Sequence, residues 1–245
     1  MSVTKRILSI DFDYFLKITK KAVRSFPDGV DCSTELSTLI WASYYLGGTQ
    51  ANLVRSVGIL EEELECLKRI LKKQSPDTPV MIANSHVHVY DFVHDYVSED
   101  EKLSLVNIDM HHDFTNNNKH LDCGNWISYL LDEYKMKLRW IANPISIEMF
   151  GLDKEVKEDK ALRNVLSLNL ATLEEKEEKY DGIFLCRSDM WTPPHLDNYF
   201  CFLCDMIAEH FDEIEVEQGI RQCRDYKAIA EQLQPAYEKL GNKLI

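Results

Sequence analysis

Leu103-Ser104-Leu105-Val106-Asn107-Ile108-Asp109-Met110-His111-His112-Asp113 is the stretch on which the reading of this chain turns. Its first six residues, Leu103 to Ile108, read as a strand bounded by polar residues. As the chain leaves that strand, Asp109, His111 and Asp113 follow at alternate positions. In extended backbone, period-two spacing puts side chains on one side, so three donors converge from one short piece. Carboxylate oxygens with an imidazole nitrogen suit manganese, zinc or iron.

The same design recurs outward from this segment. Residues 6–12 read as a buried strand ending in polar residues, Val80–Ala83 and Ile183–Cys186 as short buried strands, and Leu138–Ala142 as strand-like. Between them, residues 34–57 suggest one or two helices, and Val89–Tyr96 and 126–136 one each. A long amphipathic helix is expected over 58–74. Its Glu61, Glu62, Glu63 and Glu65 come first and Lys72 and Lys73 last, as the helix dipole favours. Part of the charged stretch 153–180 should be solvated helix, and 196–240 mostly helix with a break near Gly219. Alternating strands and helices predict one α/β domain over 1–245, a three-layer sandwich with a mostly parallel central sheet flanked by helices. Ligands in such sheets bind beyond the carboxyl ends of the strands.

Composition narrows the function classes. The 245 residues, 45% hydrophobic, suffice for one sizeable core. No apolar run is long enough for a membrane span, and the N-terminus has no secretory h-region, so a cytoplasmic protein is expected. A net charge of −13 disfavours nucleic acid. The charge would attract a cationic substrate, or serve solubility alone. The seven cysteines are an odd, scattered set and are expected to be reduced thiols. Cys201 and Cys204 have metal spacing but sit in an apolar run, which favours core cysteines.

Four strands end in polar clusters: Ser9 to Phe15, Asn84 to His88, Asn107 to Asp113, and Arg187 to His195. Asp11 and Asp13 repeat the alternate spacing, and with His86 the set reaches four carboxylates and two imidazoles. Carboxylates packed together repel and need protons or cations. Two divalent ions would balance them and lower the pKa of a shared water. Taken singly, each element has another use: Asp-X-Asp at a strand end serves as a turn or helix cap, and a histidine after a strand as a hydrogen-bonded structural group. His88, His112 and His120 are further histidines suited to a proton shuttle, whereas His94 and His210 read as surface residues of helices. Asp189 reads either as an acceptor for a planar guanidinium or as a turn residue before Pro193-Pro194, and Trp191 as a site wall or as packing.

Asp-Met-His-His-Asp at 109–113 resembles the Asp-X-His-X-Asp metal motif of the arginase, or ureohydrolase, superfamily. Ser-Ile-Asp-Phe-Asp at 9–13 resembles its Ser-Phe-Asp-X-Asp strand, and His86 resembles the single histidine completing its two-manganese site. Asp-Phe-Asp-Tyr-Phe and Trp-Thr-Pro-Pro-His look most like a small arginase-like family that includes peptide arginases. The resemblance implies an arginase-like fold with two Mn2+ held by Asp11, Asp13, His86, Asp109, His111 and Asp113, with Asp109 and Asp11 bridging. It also implies hydrolysis of arginine side chains in a ribosomal precursor peptide to ornithine and urea. His88, Asp113 and Asp189 are the candidate catalytic residues. Two departures stand out. The Asp-X-Asp strand precedes the Asp-X-His-X-Asp strand here, the reverse of the arginase order. The motif that reads a free amino acid's α-groups has no clear counterpart, although Asn116, Asn117, Asn118 and Asn125 lie in that region. Two alternatives are a haloacid-dehalogenase-like phosphatase with Asp11 as nucleophile, which expects Thr or Val where Phe15 stands, and a metal-stabilised peptide-binding module without turnover. Free arginine, agmatine or an acetylated amine remain open substrates within the superfamily.

Overall fold

A computed structural model describes residues 3–27, 31–46, 50–114, 120–150, 165–167 and 169–241. Its strands are β1 (Thr4–Asp11), β2 (Leu16–Lys17), β3 (Gly58–Ile59), β4 (Val80–Ala83), β5 (Lys102–Asp109), β6 (Lys135–Ala142), β7 (Leu166–Ser167), β8 (Gly182–Cys186) and β9 (Ile214–Val216). The helices are α1 (Lys20–Val23), α2 (Thr34–Tyr44), α3 (Gln50–Ser56), α4 (Glu61–Lys72), α5 (Val89–Tyr96), α6 (Trp126–Glu133), α7 (Ser146–Phe150), α8 (Ala171–Lys176), α9 (Asp197–His210) and α10 (Tyr226–Gly241).

Seven strands form one all-parallel sheet in the order β7-β6-β5-β1-β8-β4-β9. β2 and β3 make a separate antiparallel pair. Alternation along the strands divides the core between the two faces of the sheet. Leu8 and Ile10 of β1, Val106 and Ile108 of β5, and Ile183 and Leu185 of β8 pack with α4 and α9. Ile7, Leu103, Leu105 and Phe184 pack with Val89, Phe92 and Val93 of α5 and Trp126, Ile127 and Leu130 of α6. The expected three-layer α/β sandwich is the fold observed. No helix among the described residues is long and apolar enough to cross a membrane.

Several boundaries differ from the expectation. The helix expected from Gly58 begins at Glu61, because Gly58 and Ile59 pair with Lys17 and Leu16. The helix expected to residue 136 stops at Glu133; Tyr134 turns extended (φ −114°, ψ 145°) and the chain enters β6. The 196–240 region is divided by β9 and a loop in which Gly219 takes φ +81°. Of 153–180, α8 is helical, while residues 153–164 and 168 lie outside the described residues, as do Asn116, Asn117 and Asn118.

Candidate metal centre

β1 and β5 are parallel neighbours in register, Ile10 opposite Ile108, so Asp11 and Asp109 leave the sheet side by side. β8 flanks β1 on its other side and β4 lies beyond β8, which brings the turn His86–His88 to the same edge. The carboxyl ends of three strands, β1, β4 and β5, thus deliver all six predicted ligands to one place.

Asp109 is fully buried at its centre. Its Oδ2 lies 3.2 Å from His86 Nδ1, and its Oδ1 lies 3.7 Å from His111 Nδ1. His86 Nδ1 also lies 2.9 Å from Asp113 Oδ2 and 3.3 Å from Asp11 Oδ2. His111 Nδ1 lies 2.9 Å from Asp13 Oδ2. Two adjoining donor groups result, His86 with Asp109 and Asp113, and His111 with Asp13 and Asp109; Asp11, His86 and Cys186 form a third, overlapping one.

These residues fit metal ions on two grounds. His86 Nδ1 and Asp13 Oδ2 are buried without a hydrogen-bond partner among the described residues, a costly condition that a cation relieves. The donors are carboxylate oxygens and imidazole nitrogens, the set that divalent manganese, iron and zinc accept. The buried Asp/His cluster can therefore hold a metal ion.

Electrostatics without a cation show how much positive charge the cluster demands. Burial alone would lower both imidazoles, yet surrounding carboxylates raise His86 and His111 well above the ordinary histidine range. Burial and the Asp11 charge raise Asp13, and burial with the Asp109 charge lifts Asp113 to about 7. Burial would also raise Asp109, but the neighbouring His111 and His86 imidazoles outweigh it and hold its carboxyl well below the usual range. Protons on the imidazoles stand where cations would neutralise the site.

The orienting partners are residues to which sequence reasoning gave no role. Ser9 Oγ sits 2.6 Å from His86 Nε2 and can fix the ring so that Nδ1 faces the cluster. Trp126 Nε1 donates to Asp113 Oδ2 at 2.7 Å, Asn107 Nδ2 to Asp109 Oδ2 at 3.1 Å, and the Ser188 hydroxyl to Asp11 Oδ2. Ser9, Asn107 and Ser188 stand within the quoted polar clusters, but nothing in the sequence brings Trp126 to Asp113. Asp113 (φ 55°) and Ser188 (φ 51°) both adopt the left-handed backbone region, which is strained for non-glycine residues and here turns each side chain toward the cluster.

Asp189, which the sequence offers either as a guanidinium acceptor or as a turn residue, is engaged by the chain's own groups. It is buried, and its Oδ1 accepts from Arg187 Nε at 2.5 Å. Its Oδ2 accepts from Thr34 Oγ1 at 2.6 Å and Arg187 Nη2 at 3.2 Å. The chain's own arginine already occupies that carboxylate, and the buried Arg187–Asp189 pair is structural. His88 stands on the same turn as His86 and lines a cleft of about 240 Å3 with Asp31, Ser85 and Glu217. Asp31, which sequence reasoning passed over, accepts the Ser85 hydroxyl there. His112 accepts from the Phe114 N–H at 3.2 Å, and His120 is exposed. Asn125 is buried and ties its own loop, accepting from Asp122 N–H and donating to the His120 carbonyl. His94 is an exposed surface residue, as expected, and is bonded to Glu133, while the half-buried His210 is bonded to the Gln74 carbonyl. The His111 side chain is 30% exposed, whereas His86 and the four carboxylates are 4% or less, so the centre opens on the His111 side, with the Trp191 ring 6.2 Å from it.

No known family model matches this chain, and no curated protein or solved structure matches it.

Proposed function

We propose that this chain is a dimanganese ureohydrolase that hydrolyses the guanidinium group of arginine residues in a ribosomal precursor peptide, giving ornithine and urea. The observation that carries the reading is Asp109, whose two oxygens face two different imidazoles, so that one carboxylate would contribute to both of two adjoining donor groups. Asp11, His86, Asp109 and Asp113 would hold one ion, and Asp11, Asp13, Asp109 and His111 the other. Two such ions, when bound, would supply Lewis acidity that makes water nucleophilic near neutral pH.

The chain's own residues do the remaining work. The net charge of −13 draws a cationic side chain toward the open face. His111 and Trp191 border that face and admit a flat group beside the buried carboxylates. With Asp189 committed to Arg187, the acceptor of the guanidinium N–H groups in this reading is Asp31, a half-buried carboxylate in the cleft beside His88. His88 carries the proton to the leaving amine through its imidazole. The phosphatase alternative is less favoured, because a phosphate entering beside Asp11 would meet three more carboxylates, and no Lys or Arg among the described residues pairs with Asp11.

Incubation of the purified chain with manganese and an arginine-containing peptide tests the reading, with peptide mass and released urea as readouts. Both should change, Asp109→Ala should abolish both, and Asp31→Asn should raise KM roughly tenfold through loss of one charged hydrogen bond. Free arginine in parallel should turn over poorly. Undiminished urea release by Asp109→Ala would end the proposal, and tight peptide binding without a mass change would favour the binding module.

A further inference from the structure

Two sulfur atoms face each other at the surface, in residues to which the proposed reaction gives no part. Cys201 lies in α9 and Cys223 in the loop before α10, and their Sγ atoms are 3.5 Å apart. Cys223 is exposed and donates to Asn198 Oδ1 at 3.1 Å, while Cys201 is half-buried. All seven cysteines are free thiols. The expectation that Cys201 and Cys204 are both core cysteines holds for Cys204, which is fully buried. Cys201 turns instead toward Cys223.

We propose that Cys201 and Cys223 are a modification site, a dithiol that a low-molecular-weight disulfide of the glutathione type closes into an intrachain bond. The exposed Cys223 sulfur, as thiolate, attacks one sulfur of the oxidant; a mixed disulfide forms and one small thiolate leaves. The Cys201 sulfur then attacks the Cys223 sulfur, forming the intrachain bond and expelling the second small thiolate. Two electrons pass from the cysteine pair to the oxidant, and the two protons the cysteines lose end on the two released thiols. Burial and the hydrogen bond with Cys223 push the Cys201 thiol up to about 12, so the first attack falls to Cys223. The sulfurs must approach to about 2.05 Å, a motion within reach of side-chain rotation at an exposed residue.

The consequence lies in the residue that follows. Arg224 is buried and holds Asp197, the first residue of α9, through Nε at 2.9 Å and Nη2 at 2.7 Å. It also donates to the backbone carbonyls of Asp189 at 2.5 Å and Thr192 at 2.7 Å. A bond between Cys201 and Cys223 staples the same two segments that the Arg224–Asp197 pair already joins, so oxidation tightens this corner rather than pulling it apart.

The full-length chain treated with oxidised glutathione, its remaining thiols alkylated and its peptides mapped by mass, tests the proposal. A Cys201–Cys223 cross-link is expected. It should come with a rise in thermal midpoint of roughly 5 °C or more from closing a loop of this size, reversed by dithiothreitol. Cys223→Ser should lose both effects, and Cys201→Ser should stop at a glutathione adduct on Cys223. A wild-type chain that retains the adduct without cross-linking, links another cysteine, or gains no stability on cross-linking would overturn the proposal. None of these readouts depends on metal or turnover.

Discussion

Three of the four buried carboxylates of the centre, Asp11, Asp13 and Asp109, accept a backbone N–H with one oxygen while presenting an oxygen to the cluster. Asp11 Oδ1 accepts the Asp13 N–H at 2.9 Å, Asp13 Oδ1 the Met110 N–H at 3.1 Å, and Asp109 Oδ1 the His111 N–H at 2.7 Å. Capping and metal ligation, alternatives in the sequence, are therefore compatible in the same side chains. The bonds to backbone hold each carboxylate in place, which lowers the entropic cost of gathering like charges. Ser9 does the same for His86. Removing its hydroxyl in Ser9→Ala should weaken manganese binding by about 10–100-fold with little change in fold. Isothermal titration calorimetry checks this, and equal affinity would mean that the ring is oriented without Ser9. The role of Ser9 was hidden because its partner is 77 positions away. The charge of Asp189 is answered both by Arg187, two positions before it, and by Arg224 from the far loop.

At the scale of elements, the long strands were legible and the short ones were not. β1, β5 and the end of β6 carry apolar runs bounded by polar residues. β2, β3, β7 and β9 have only two or three residues, too few to show a period, and exist because a neighbouring strand pairs with them. β8 has a further constraint at its first residue. A Cβ on Gly182 would stand 3.0 Å from both Ile7 Cδ1 and Phe92 Cζ, so α5 presses directly onto the sheet there. Gly182→Ala should destabilise the chain by about 1–2 kcal/mol, because the core must shift to admit a methyl group. Urea unfolding reads this as a lower midpoint with unchanged slope; an unmoved midpoint would show that α5 has slack over β8.

For the whole molecule, the centre is a cost that a bound ion offsets. Four carboxylates at 4% exposure or less share one site, and in the absence of cations their charge is met by protons on the imidazoles. An ion that binds the folded chain alone adds about 2.7 kcal/mol at a hundredfold excess over its Kd. At this chain length that corresponds to a rise in thermal midpoint of roughly 5–10 °C. Manganese should produce the rise in a thermal scan and a chelator should reverse it. A midpoint indifferent to both would mean that the folded chain holds no ion at this place.

The sequence by itself determined the α/β class, the strand ends that carry polar clusters, and the identity of the donor residues, because each is written in local spacing: period two along a strand, apolar runs between helices, donors at alternate positions. Only the tertiary structure decided that β1 lies between β5 and β8 with β4 beyond, and hence that Asp11, His86 and Asp109 meet. Strand order is set by how helices cover the two faces of the sheet, a long-range packing problem with no local signature. The same holds for Ser9, Trp126 and Arg224, whose work depends on residues that approach them only when the chain is folded.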